Sequence, residues 1–144
     1  MILLDTNIVS AVMSRSPPRE VVKWLNDQET ITLFVSTITI AEIGYGLWIL
    51  PLSKRRRSLE RRFEKFITEG FEGRVLDFNG PAAGIYGEIM DRLRAMGRPM
   101  SVLDGQIASI ARANELAVAT RNVRDFEVCG LSVINPFSPH PNSG

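Results

Sequence analysis

The sequence predicts an α/β fold of three layers, with a mostly parallel central sheet flanked by helices. Two observations carry this. Short apolar runs of strand length alternate with longer stretches of helical periodicity along the chain, and residues that open helices follow directly on the first runs. Strands separated by helices pair in parallel, because each crossover must lie across a sheet face. A third observation fixes the scale: 144 residues, 44% hydrophobic and 23% charged, make one soluble domain that buries roughly two-thirds of its unfolded surface.

Residues 2–4 form a short buried strand. Asp5, Thr6 and Asn7 are helix-capping types ahead of Ile8, Val9, Val12 and Met13, so a helix follows at once. Pro17 and Pro18 close that segment. Residues 19–28 carry Val21, Val22, Trp24 and Leu25 at helical spacing, and Pro18 suits a first turn. Residues 32–38 are rich in Thr, Val, Phe and Ile and read as a second strand. Thr39-Ile40-Ala41-Glu42 matches a capping box, which starts a helix at Thr39 that runs to about Leu50. This helix is apolar on nearly every side, through Ile43, Tyr45, Leu47, Trp48 and Ile49, and so belongs in the core or at a subunit interface.

Residues 53–71 are a charged helix with an apolar stripe of Leu59, Phe63, Phe66 and Ile67, and 74–78 a third strand. Residues 81–96 form a helix with Ile85, Ile89 and Leu93 on one face, stopped by Gly97 and Pro99. The next helix spans 101–115, with Ile107, Ile110 and Ala111 inward. A fourth strand at 116–120, a turn at 123–126 and a fifth strand at 131–134 complete the order. The Pro-rich segment from Pro136 is expected to be loosely ordered, which places the domain at 1–136 and a flexible tail at 137–144.

Several function classes drop out. One cysteine, Cys129, excludes an internal disulfide and a Cys-rich zinc site, and fits a reducing cytoplasm. The chain reaches Asp5 too soon for a signal peptide, and the longest other apolar stretch, 43–50, is broken by glycines and ends at Pro51, so a cytoplasmic protein with no membrane partner is expected. A net charge of +1 recommends neither nucleic acid nor membrane in bulk. The single histidine, His140, lies in the tail, so a Ser-His-Asp triad or a histidine pair is not available. No Gly-rich phosphate cradle follows a strand. What remains is carboxylate chemistry.

Asp5 sits at the carboxyl end of the first strand, the edge where open α/β sheets hold ligands. Glu42 follows the second strand, and Asp104 lies in the first turn of a helix. Parallel neighbouring strands would bring these acids to one crevice, where their mutual repulsion raises their pKa values or recruits a cation. Mg²⁺ answers that need, since it takes one or two protein carboxylates, keeps waters and binds phosphate oxygens. Two such ions can activate water and stabilise the leaving oxygen of a phosphodiester. Each acid also has a purely structural reading: Asp5 as a helix cap, Glu42 as the capping-box partner, Asp104 as a complement to a helix dipole.

Four motifs taken together decide between these readings. Ile2-Leu3-Leu4-Asp5-Thr6-Asn7-Ile8, then Ser36-x-x-Thr39-x-Ala41-Glu42-x-x-x-Gly46, then Asp104-x-x-Ile107-Ala108-x-x-Ala111, then Ala119-Thr120-Arg121-Asn122 resemble, in order and spacing, a PIN domain of the VapC toxins, and particularly their FitB-like branch. The likeness runs from Met1 to about Pro136. It implies a Mg²⁺- or Mn²⁺-dependent endoribonuclease toxin of a type II toxin–antitoxin system, silenced by a small VapB-like antitoxin. It implies a homodimer, with DNA contacted only through the antitoxin. By the same resemblance Asp5, Glu42 and Asp104 are the metal-binding acids. The family often adds a fourth acid after the Ala-Thr-Arg strand; Asn122 stands there, an oxygen donor without charge, and Asp125 is the acid that could replace it. Thr6, Asn7 and Thr120 are suited to orient carboxylates or waters.

Three further features carry both plain and functional readings. Gly46, one turn from Glu42, reads first as a close helix contact and second as room for phosphate. The stretch 53–66 holds Lys54, Arg55, Arg56, Arg57, Arg61, Arg62 and Lys65 against Glu60 and Glu64, a solvated face by default and an RNA or antitoxin surface otherwise. Trp24 and Trp48, in apolar periodic settings, are expected to be packed. Two rival functions stand beside the nuclease. One is a PIN-like binding module with little catalysis, acting through an antitoxin–operator complex. The other is a phosphatase or phosphoacceptor domain, which Asp5-Thr6-Asn7 disfavours because the second aspartate of a D-x-D motif is missing.

Overall fold

The computed structural model describes residues 1–139. In chain order it contains β1 (Ile2–Leu4), α1 (Thr6–Met13), α2 (Arg19–Asn26), a 3₁₀ turn (Thr30–Thr32), β2 (Leu33–Ser36), α3 (Thr37–Trp48), α4 (Lys54–Gly70), β3 (Val75–Leu76), α5 (Gly80–Ala95), α6 (Val102–Ala113), β4 (Ala117–Ala119), α7 (Val123–Glu127) and β5 (Val133–Ile134). The sheet order is β3-β2-β1-β4-β5, and every pairing is parallel. From β1 the chain winds outward through β2 to β3, then crosses back to place β4 on the other side of β1. The expected three-layer α/β architecture is present, and the carboxyl end of β1 lies at the point where the winding reverses, the usual crevice of such sheets.

Leu3 and Leu4 show how one strand feeds two cores. Successive side chains on a strand point to opposite faces. Leu3 packs with Ile89, Leu93, Ile107, Ile110 and Val118 beneath α5 and α6. Leu4 packs with Ile8, Val21, Trp24, Val35 and Phe63 beneath α1, α2 and α4. Trp24 is buried there as its periodicity implies. Gly105 lets α6 seat closely on α5: a Cβ there would stand 2.5 Å from Met90 Sδ and 3.0 Å from the Tyr86 ring.

Three local expectations need correction. The capping box at Thr39 is not used. Ser36 ends β2, its Oγ accepts from the Thr39 amide at 3.2 Å, and α3 starts at Thr37. Glu42 therefore has no capping duty. Residues 123–126 are part of a short helix rather than a turn, anchored by the fully buried Phe126. Trp48 is 74% exposed, in company with exposed Tyr45, Ile49 and Leu52, so the outer face of α3 finds no core among the described residues.

Phe137, beyond the expected domain end at 136, lies against the β1–α1 core, while His140 and the rest of the expected tail lie outside the described residues. Among the described residues no helix is long and apolar enough to cross a membrane.

Candidate active site

Asp5 follows the last residue of β1 and is held from every side. Its amide donates to the Ala119 carbonyl at 2.9 Å, which continues the ladder to β4. Oδ1 accepts from the Thr6 amide at 2.8 Å, so the side chain also caps α1. Oδ2 accepts from the Thr120 hydroxyl at 2.7 Å and from Asn7 Nδ2 at 3.2 Å. The cap and chemical readings of Asp5 thus coexist in one residue. It is only 2% exposed, and burial raises its pKa to about 6; the charges of Asp104 and Glu42 add to the rise, while the bonds from Thr120 and Thr6 oppose it.

Glu42 comes from α3, one strand over. Its Oε1 accepts from the Thr6 hydroxyl at 2.9 Å, and the Thr6 oxygen lies 2.9 Å from the buried Thr39 hydroxyl. The single Thr6 proton is committed to Glu42, so Thr39 must be the donor in that second contact. Asp104 enters from α6, whose first turn is capped by Ser101 Oγ accepting the Asp104 amide at 3.2 Å. Burial raises the Asp104 pKa and the nearby Asp125 charge adds to it, against the Ser101 bond.

Asp5, Glu42 and Asp104 line one crevice of about 580 Å³, together with Thr6, Asn7, Ser10, Ser14, Arg121, Asn122 and Phe137. Thr120 is the hub beneath it, for it also accepts from the Asn122 amide at 3.0 Å and from Asn7 Nδ2 at 3.3 Å. Asn7 Oδ1 in turn accepts from the Arg121 amide at 3.3 Å, and the Arg121 guanidinium stacks 3.8 Å from the Phe137 ring centroid.

Asn122, in the place of a fourth acid, lines the crevice. Asp125 does not: its side chain is 52% exposed and lies 3.6 Å from Arg98, so it reaches the site only through its field at Asp104. Gly46 borders a second crevice on the α4 side, and a Cβ there would meet nothing within 4 Å, so the close-packing reading of this glycine fails.

Among the described residues no salt bridge reaches Asp5, Glu42 or Asp104. Nor do three His, Cys, Asp or Glu side chains close into a ready metal cage. The acids instead border a shared space with an all-oxygen donor set. That fits a hard cation such as Mg²⁺, which takes few protein ligands and keeps its waters. Thr39 and Phe137 were not singled out from sequence as site groups. For Thr39 the usable signal was a hydroxyl at a helix start just beyond a strand; Phe137 had none, because its contact with Arg121 is made by the fold.

The PIN domain model matches residues 2–130. The chain is 42% identical to the plasmid stability protein StbB of Pseudomonas syringae pv. tomato, over 95% of this chain and 99% of that protein. It is 39% identical to the VapC ribonuclease Y4jK of Sinorhizobium fredii, covering 96% and 99%, and 36% identical to the toxin FitB of Neisseria gonorrhoeae, covering 95% and 99%. The fold superposes with a TM-score of 0.90 on a chain of FitAB bound to an IR36 DNA fragment, at 36% identity and 96% coverage of both chains. The chain belongs to the PIN domain family.

Proposed function

We propose that this protein is a Mg²⁺- or Mn²⁺-dependent endoribonuclease, acting in the cytoplasm as the toxin of a type II toxin–antitoxin pair. The observation that carries this reading is the meeting of Asp5, Glu42 and Asp104, from three separate elements, in one crevice at the carboxyl edge of β1. Relatives named as a VapC ribonuclease and as a toxin support the reaction and the role. Asp5, Glu42 and Asp104 would hold the cation, which when bound supplies the positive charge that phosphodiester hydrolysis needs.

The chain's own groups do the rest. Thr120, Asn7 and the Thr6 amide fix the Asp5 carboxylate, and the Thr6 hydroxyl fixes Glu42, so the acids are set before substrate arrives. Ser10 and Ser14 on the crevice wall offer hydroxyls to phosphate oxygens. Water adds to phosphorus as the bond to the leaving oxygen breaks, and that oxygen takes a proton from solvent water. Glu42 and Asp104, both partly open to solvent, can take the proton that the water gives up.

The partner follows from charge and exposed apolar surface. A crevice of unpaired acids accepts a guanidinium through bidentate hydrogen bonds, so a VapB-like antitoxin with a well-placed arginine can occupy it and inhibit. The exposed face of α3 around Trp48 gives such a partner, or the second copy in a homodimer, an apolar anchor. DNA is contacted through the antitoxin. The test is cleavage of a single-stranded RNA with and without EDTA, repeated with Asp5→Asn and Asp104→Asn. Loss of cleavage in EDTA and in both variants is expected; metal-independent cleavage that survives both substitutions overturns the reading.

A further inference from the structure

The basic run on α4 divides between two faces, and only one of them faces the acids. Arg56 is turned inward: its Nε lies 2.7 Å from Glu60, it donates to the Leu50 carbonyl at 3.2 Å, and its guanidinium covers the Trp48 ring at 4.7 Å. Glu60 and Glu64 share that side, along a groove with Trp48 and Ile67. The opposite face carries Arg55, Ser58, Leu59 and Arg62, with no acid of α4 among them.

Arg55 and Arg62 line a crevice of about 580 Å³ between α1, α3 and α4, which Arg15 closes from the end of α1. This crevice shares Thr6, Ser10, Ser14 and Glu42 with the acid pocket, so the two form one continuous channel. The side chains of Arg15, Arg55 and Arg62 make no hydrogen bond or ion pair among the described residues, unlike that of Arg56. Two helical turns, about 10 Å, separate Arg55 from Arg62, which makes a line of charge rather than a point.

From this we infer that the channel between α1 and α4 is the track for the RNA backbone, in which Arg15, Arg55 and Arg62 hold successive phosphates upstream or downstream of the scissile one. The inference rests on the ribonuclease reading above. A polyanion approaching three carboxylates is repelled, and a flanking line of unpaired guanidinium groups offsets that repulsion and steers the strand. Arginine and serine suit phosphate oxygens; the aromatic residue lining the α1–α4 crevice, Phe63, is buried, and Phe137 at the acid end already stacks with Arg121, so the α1–α4 stretch offers bases no ring to stack on. The track therefore reads backbone and not sequence. Gly46, open on the channel side, leaves the strand its path past Glu42.

The test uses a fluorescein-labelled, mixed-sequence 20-nucleotide single-stranded RNA. Binding is followed by anisotropy across a salt titration in the Asp104→Asn background, and cleavage kinetics are measured without that change. In the combined Arg15→Ala, Arg55→Ala, Arg62→Ala protein, KM should rise about 10- to 100-fold with kcat nearly kept, and the salt slope should fall by about 0.7 per arginine removed. Arg62→Ala alone should give about a third of the slope change, and Arg57→Ala with Arg61→Ala, which do not line the channel, should match wild type. Wild-type affinity and slope in the triple variant overturn the track. So does a triple variant that keeps RNA binding but no longer binds a protein inhibitor, which makes the channel a protein dock. A parent protein that neither binds nor cuts RNA overturns the ribonuclease reading itself, and is told apart by that arm.

Discussion

The hydroxyl of Thr6 donates to Glu42 at 2.9 Å across 36 positions of sequence, and this bond joins the start of α1 to α3. Because the Thr6 amide also donates to Asp5, one residue sets the relative placement of two acids. Thr6→Val keeps the shape and removes the hydroxyl. Cation affinity and cleavage should fall about 10- to 100-fold, the usual cost of losing a group that orients a ligand. Thr6→Ser should restore most of both, and Thr39→Val should cost less than Thr6→Val, since it acts one bond further out. Calorimetric Mn²⁺ titration beside cleavage kinetics checks this; equal behaviour of the Val and Ser variants would sink it.

Asp5 makes the cation-free protein depend on pH with a definite sign. Its pKa is raised from 3.8 to about 6, chiefly by burial, so the native state holds this proton more tightly than the unfolded chain does. Between those values the unfolded chain releases the proton first, and stability falls as pH rises. The shift corresponds to about 3 kcal/mol, present below about pH 4 and lost above about pH 6. In EDTA, Asp5→Asn should therefore gain on wild type by roughly that amount between these limits, whatever its constant cost in lost hydrogen bonds. Urea melts at a series of pH values give the comparison. A gap that does not move with pH would show that Asp5 is not held against its charge.

Much of this site is legible in the sequence. Asp5 could be placed because an apolar run followed by capping residues fixes a strand end, and Asp104 because Ser101 opens a helix three residues earlier. The start of α3 is ambiguous in sequence because Ser36-x-x-Thr39 and Thr39-x-x-Glu42 both fit a cap. The sheet decides between them: Ser36 pairs with Leu76 as the last rung of β2 and β3, so the turn into the helix must come there. Periodicity could not tell core from partner surface at Trp48, since both want an apolar face. Nor could it show that, within Arg55-Arg56-Arg57, one rotation of 100° sends the middle side chain inward.

Asn122 and Asp125 make different predictions because only the first borders the acids. Asn122→Asp adds a carboxylate to the crevice, so Mn²⁺ should bind about 10-fold more tightly, within the range that one ligand-set change commands. Asp125→Ala breaks a half-exposed pair with Arg98 and removes a charge that acts on Asp104 from outside the crevice, and should change cleavage by less than about 5-fold, as expected for surface electrostatics. Cleavage measured across a Mg²⁺ titration separates them. A larger loss in Asp125→Ala than in Asn122→Ala would place the fourth functional position at Asp125 instead.

Arg56 and Trp48 lie in contact but should answer substitution in opposite ways. Arg56 is buried and bonded to Glu60 and to the Leu50 carbonyl, so Arg56→Ala loses a charge-assisted bond, leaves a carbonyl short of its donor and opens packing beneath the α3–α4 connection. A cost of about 1–3 kcal/mol is expected, of which part is lost contact by the aliphatic stem. Trp48 is held by the guanidinium on one face and otherwise meets solvent, so Trp48→Ala should change stability by no more than about 1 kcal/mol, the size of a partly exposed cation–π contact. What Trp48→Ala should lose is the partner. An indole that rests against Arg56 and leaves most of its surface to solvent is the kind of apolar side chain that anchors an interface. Urea melts of both variants, with capture of the co-expressed antitoxin or gel filtration of the free chain, make the comparison. A Trp48→Ala protein that keeps its assembly unchanged would remove α3 as the interface, whatever its stability.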